Sequence, residues 1–277
     1  MAWLVGCGED SGGSSPSPES SVTSWGASGT GAGQLNAPAG FSLTRAGTIL
    51  IADTDNHRIE EFDSSGNFLA QWGGQGANPG QFFYPAAVAV DSQGNIYVAD
   101  SLNNRIQKFD SKHNFVLQWG TQGNEQGQFV VPFDLAIDGA NDIYVVDMGN
   151  SRIEVFSSDG RFIRSWGEKG STAGRLQYPT GIAISSSGMV YVADTENNRI
   201  QVFSDTGAYL TGWGGGGSAS GQLLSPVRIA LDDRGSIYVV DNGNHRIQKF
   251  SSTGSYLGEW GGEQAAGGQF SNPLDII

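Results

Sequence analysis

Short apolar runs alternate with polar breaks along almost the whole chain. Between Pro85 and Trp119, residues 86–90 are apolar and end at the turn Asp91-Ser92-Gln93-Gly94. Residues 96–99 form a second run of β-branched and aromatic side chains, interrupted at 100–104. Residues 105–109 make a third, closed by 110–114, and residues 115–119 a fourth. Runs of about five residues bounded by Gly, Asp, Asn and Ser are the signal of strands joined by hairpins. Apolar spacings of three, four and seven never persist long enough for a helix. The stretch therefore predicts four antiparallel strands, a to d.

The same pattern returns at a fixed step. Trp-Gly pairs stand at Trp25, Trp72, Trp119, Trp166, Trp213 and Trp260, so that 25 to 72 is one step of 47 residues. Pro38, Pro85, Pro132, Pro179, Pro226 and Pro273 keep the step, without insertion or deletion. Between them the signature Asp-x-x-Asn-x-Arg-Ile occurs five times, from Asp53, Asp100, Asp147, Asp194 and Asp241 to Arg58, Arg105, Arg152, Arg199 and Arg246. A period in this range marks stacked or circular supersecondary units. A small four-stranded sheet cannot bury both faces alone, and radial repetition buries them, which predicts an all-β propeller over residues 22–277. The 42 glycines in 277 residues agree, at about twice the usual share of roughly 7%. Chain order predicts five complete blades plus a partial sixth, built from a leading d strand at 22–25 and a trailing a strand at 273–277.

Ile96-Tyr97-Val98-Ala99-Asp100, then Asn103-Asn104-Arg105-Ile106, and Pro179-Thr180-Gly181-Ile182-Ala183-Ile184 resemble the NHL repeat. The resemblance covers residues 22–277. It implies a six-bladed β-propeller of a kind serving mainly as a binding platform for proteins or, in some relatives, RNA. A minority of similar propellers are lyases or lactonases with a metal in the channel, so fold leaves function open.

Residues repeated five times are scaffold devices. The signature Asp and Arg are expected to pair across the b–c hairpin, Asn is expected to shape its loop, and each Trp to cover the gap to the next blade. Function belongs where the repeat varies. The second residue after each Pro, on inner strand a, is Gly40, Ala87, Asp134, Gly181, Arg228 and Asp275. Asp134, Arg228 and Asp275 share one repeat phase and are expected to converge at the channel mouth, either as a hydrated ion-pair plug or as a polar-ligand site. Phe83, Tyr84 and Tyr178 precede their prolines on the face of the b–c loops and are candidate contacts for a peptide or sugar; packing under the loops is the alternative. His57, His113 and His245 are scattered around the ring, none on an inner strand, so neither a metal nor a cofactor site is expected.

A net charge of −13, with no basic stripe, argues against nucleic acid as partner. Leu4-Val5-Gly6-Cys7 resembles a bacterial lipobox with Cys7 as lipidation site, followed by a Ser/Gly/Pro-rich tether to residue 21. Only six residues precede Cys7 and none is basic, so the chain reads as clipped at both ends. Together these features predict a monomeric, non-enzymatic platform for a protein or small polar ligand. It would lie outside the cytoplasm, secreted or held at the cell envelope by the lipid on Cys7, its only membrane link. The alternative is a propeller lyase or hydrolase working at the channel mouth.

Overall fold

A computed structural model of the chain describes residues 25–262, 270 and 273–276. The leading segment with Cys7 and the tether lies outside the described residues. After a short parallel pair, β1 (Ala27–Ser28) and β2 (Gln34–Leu35), the described residues form five four-stranded antiparallel sheets. Blade 1 is β3 (Pro38–Leu43), β4 (Ile49–Asp53), β5 (Arg58–Phe62) and β6 (Phe68–Gly73). Blade 2 is β7 (Pro85–Val90), β8 (Ile96–Asp100), β9 (Arg105–Phe109) and β10 (Phe115–Trp119). Blade 3 is β11 (Pro132–Ile137), β12 (Ile143–Asp147), β13 (Arg152–Phe156) and β14 (Phe162–Trp166). Blade 4 is β15 (Pro179–Ile184), β16 (Val190–Asp194), β17 (Arg199–Phe203) and β18 (Tyr209–Gly214). Blade 5 is β19 (Pro226–Leu231), β20 (Ile237–Asp241), β21 (Arg246–Phe250) and β22 (Tyr256–Gly261).

The core lies between blades. Each second strand is buried along its whole length, and its β-branched and aromatic side chains pack against the neighbouring sheet. One cluster joins Tyr97 and Ile106 of blade 2 to Leu135 and Val145 of blade 3, and the next joins Tyr144 and Val155 to Ile182 and Val192. Trp72, Trp119, Trp166 and Trp213 each lean on a Phe of the following blade, as Trp119 does on Phe156 at 5.7 Å and Trp213 on Phe250 at 5.8 Å. Trp25 does the same to Phe62 of blade 1 at 4.8 Å.

The six blades that the resemblance implies are corrected to five complete ones among the described residues, the number that chain order predicts. The sixth place is nonetheless held. Asp134 of blade 3 accepts a hydrogen bond from the Ile182 amide of blade 4, 48 residues on. Asp275 accepts the matching bond from Phe41 of blade 1, 234 residues back. The two separations together make six periods of 47. Ile276 packs on Tyr238, Val240 and Ile247 of blade 5, and Asn242 donates to the Pro273 carbonyl, as Ser101 of blade 2 does to Pro132. A few residues thus bridge the two ends of the ring: Pro273 to Ile276 on the inside and Trp25 on the outside.

Candidate functional site

The signature does more than close a hairpin. Arg105 donates Nε to Asp100 at 2.7 Å, and Asn103 donates to the same oxygen at 2.8 Å. Asp100 also accepts the amide of Phe83 at 2.7 Å, while the Arg105 guanidinium caps the carbonyls of Ala77, Asn78 and Gln81. Asp and Arg therefore latch the incoming d–a connection onto the blade. The geometry recurs in all five blades, with Arg Nε to Asp distances of 2.8, 2.7, 2.8, 2.7 and 2.7 Å. These aspartates are fully buried, so the cross-strand pair that the sequence suggests is part of a desolvated network.

The residue after the signature Asn adopts a left-handed conformation in every blade, with φ of +56° at His57 and +52° at Asn104. From there Asn104 and Asn198 accept the amides of Val131 and Ser225, and His57 Nδ1 accepts that of Tyr84 at 3.1 Å. His57 thus fills an asparagine's place in the scaffold.

Every inner strand opens with an irregularity: in blade 3, Pro132 pairs with Asp147 but Asp134 pairs with Val146, so Phe133 is the extra residue of a bulge. Bulges re-aim groups and break the ladder locally. Here they free carbonyls toward the axis, and Arg228 gathers three of them from across the ring. Its guanidinium donates to Thr180 O at 2.8 Å, Ala86 O at 3.0 Å and Phe133 O at 3.5 Å. It pairs with Asp134 at 2.9 Å, reaches Asp275 at 3.7 Å, and stands 5.2 Å over the Phe133 ring. Thr180 Oγ1 donates to the fourth bulge carbonyl, that of Val227. Only about 4% of the Arg228 side chain is exposed.

Asp134, Arg228 and Asp275 therefore converge. The register pairs each inner-strand Pro with the Asp that begins a b–c loop, so the three lie toward the face bearing the b–c and d–a loops. Both carboxylates are committed: Asp134 accepts from Leu135, Ile182 and Arg228, and Asp275 from Ile276 and Phe41. Burial, reinforced by the charge of Asp134 and opposed by that of Arg228, pushes the Asp275 carboxyl up to about 7. Burial also raises Asp134, against the pull of Arg228. The constellation is an internally satisfied stopper. The carbonyl collar went unseen in the sequence because a bulge leaves no side-chain signature.

The aromatic candidates do not form one group. Phe83 and Tyr84 cluster with His57, at ring distances of 5.2 Å from each other and 4.6 Å from His57 to Tyr84. Tyr178 stands two blades away with Lys169 5.8 Å over its ring. Tyr84 and Tyr178 are 37% and 41% exposed and adopt φ of +54° and +46°. Left-handed backbone is costly for a bulky residue, and the latch holds it in place. Leu102 and Leu224, also exposed, belong to the same loops. Among the described residues no group of three or more His, Cys, Asp or Glu could hold a metal ion, and no helix is long and apolar enough to cross a membrane.

The NHL repeat profile matches residues 35–62, 82–109, 176–203 and 223–250, the same phase of blades 1, 2, 4 and 5. No curated protein matches the sequence. Among solved structures, a streptogramin B lyase superposes with a TM-score of 0.65 at 19% identity, over 85% of this chain and 71% of that one. A virginiamycin B lyase from Staphylococcus aureus gives 0.61 at 19% identity, over 80% and 69%. A gluconolactonase from Xanthomonas campestris gives 0.62 at 18%, over 84% and 79%. At such identities the likeness is one of fold. With the repeat profile, the latch in every blade and the ring of inner strands in agreement, the chain is a β-propeller that carries the NHL repeat in four of its five described blades.

Proposed function

We propose that this propeller is a non-enzymatic binding platform that engages a protein or small polar ligand on the face of the b–c and d–a loops. The observation that carries the reading is the pairing of exposed, rigidly held tyrosines with a closed floor. Tyr84 and Tyr178 project from strained backbone on the loop face, and beneath them Arg228 spends its guanidinium on the chain's own carbonyls and carboxylates. Rigid aromatic anchors over a surface that does not deform are what a recognition patch requires. Phe83, Tyr84 and Tyr178 make the contact in this reading, with Asp134, Arg228 and Asp275 as the floor that a polar group would meet. The protein acts as a monomer outside the cytoplasm, held through Cys7 of the lipobox-like Leu4-Val5-Gly6-Cys7; the charge of −13 argues against nucleic acid as a partner.

The experiment is affinity capture from a cell-envelope fraction by the immobilised propeller, compared with a Tyr84→Ser/Tyr178→Ser variant. A species retained by the parent and lost with the variant at unchanged melting temperature supports the platform. The second reading, a lyase or hydrolase, is favoured by the likeness in fold to two lyases and a gluconolactonase. Turnover of a streptogramin B or of gluconolactone by the purified protein would replace the first reading with the second.

A further inference from the structure

The third residue of each c strand is buried and points into the latch, and it is not the same in all blades. Blades 2, 4 and 5 have Gln107, Gln201 and Gln248, while blades 1 and 3 have Glu60 and Glu154. The glutamines show what the position demands. Gln107 Oε1 accepts the Gly80 amide at 2.8 Å, and its Nε2 donates to Gln81 O at 2.7 Å and to Asp100 Oδ2 at 3.1 Å. Gln201 and Gln248 repeat this, each with one acceptor satisfied and one amide nitrogen serving two oxygens.

A glutamate has no such donor. Glu60 Oε1 accepts from Gly33 at 3.2 Å and Glu154 Oε1 from Gly127 at 3.3 Å, the bonds that Gln Oε1 makes. That leaves Oε2 in the place of the amide nitrogen, where the Gln blades offer only acceptors: a backbone carbonyl and the signature carboxylate. Both Oε2 atoms are buried and without a hydrogen-bond partner. An ionised carboxylate there would set lone pairs against lone pairs, whereas a proton on Oε2 restores the donor that the glutamine supplies.

We propose that Glu60 and Glu154 are held as neutral acids in the native propeller, each the protonated stand-in for a glutamine, so that blades 1 and 3 carry a proton-dependent latch and the other three do not. The charged groups facing them agree. Around Glu60 stand Asp53 and Arg58, with the Gly33 amide from the incoming loop, and Gln71 of the d strand engages Arg58. Around Glu154 stand Asp147 and Arg152, with the Gly127 amide. Each arginine lies beside the glutamate, at 3.0 Å for Arg58 and 3.3 Å for Arg152, but the buried signature aspartate already neutralises it. Burial accordingly raises Glu60 to about 6 and Glu154 to about 7. A carboxyl raised in the folded state contributes stability that is complete below its unfolded value. That stability is lost as pH rises through the folded value, here between about 4.5 and 7.

The test compares unfolding of the parent with Glu60→Gln/Glu154→Gln in urea across this window. Near the acid end the two should be nearly equal, because a protonated Glu and a Gln make the same bonds. At the alkaline end the double variant should fold more favourably, by about tenfold in equilibrium constant for each unit of upward shift it abolishes. Subtracting parent from variant removes the contribution of Asp275, which both share. A second variant, Gln201→Glu, should install the same alkaline loss in blade 4. In the infrared, the parent should show a protonated-carboxyl stretch above the pH at which free glutamate ionises, and the double Gln variant should lose it. A parent-to-variant difference that does not change with pH, a double variant less stable at the alkaline end, or the absence of that stretch overturns the proposal.

Discussion

Asp147 illustrates how much one repeated side chain carries. It is wholly buried and accepts from the Val130 amide, Asn150 and Arg152 at 2.7–2.8 Å. Removing it leaves a largely buried guanidinium without its counter-charge, and breaking one partner of such a pair typically costs about 3–5 kcal/mol. Asp147→Ala should therefore lower the unfolding free energy by an amount in that range, read as a lowered urea midpoint, while the loop-face tyrosines, set on other blades, keep their binding once the fold is restored by low temperature. Loss of capture at an unchanged midpoint would move the signature from scaffold to site. The signature's pairing was legible in the sequence because five copies announce it. Its reach was not: the carbonyls that Arg152 caps, those of Asn124, Glu125 and Gln128, lie 24 to 28 residues away and carry no side-chain mark.

At the level of the strand, the inner ring sets the tightest constraint. A Cβ placed on Gly181 would stand 2.5 Å from Val227 O and 2.9 Å from the Arg228 Cα; on Gly40 it would stand 2.6 Å from Ala86 O. Neighbouring inner strands approach that closely because each is bulged at its start. Gly181→Ala should cost about 1–3 kcal/mol as overpacking against backbone that cannot swing aside. A thermal melt checks this, with Gly139→Ala as a control, since a Cβ there meets nothing within 4 Å. Strand order and length were readable from the alternation of apolar runs and turn residues, since pairing in short hairpins follows chain order. The bulges were not readable, because Ala39, Ala86, Phe133, Thr180 and Val227 share no chemistry. The small residues at Gly40, Ala87 and Gly181 were visible as a pattern, and their cause is this close approach.

Across the whole molecule, the three inner charges were found from sequence by a single rule, that one repeat phase means one height in the ring. The same rule could not tell stopper from ligand site, because that depends on the main-chain oxygens Arg228 meets. Arg228→Ala would leave Asp134 and Asp275 facing one another with little water. The Asp275 carboxyl is raised from 3.8 to about 7, so the stability it contributes is complete below 3.8 and gone above 7. The variant should therefore lose more stability at about pH 8, where both acids must ionise, than at about pH 5, and urea midpoints at the two values decide it. An equal loss at both would mean that the carbonyl bonds, not the charges, are what Arg228 contributes. Those carbonyl partners also place Arg228 in time. Two of them, Ala86 and Phe133, lie 142 and 95 residues away in the chain, on blades that meet across the axis only when the circle is assembled. Contacts absent from the folding transition state slow escape from the native state rather than speed entry into it, and a contact of such span is expected to be one of them. Arg228 acts as a latecomer's bolt: in stopped-flow experiments its removal should steepen the loss of native protein while leaving the refolding arm almost unmoved, so that the persistence of this propeller would be set by one side chain that played no part in building it.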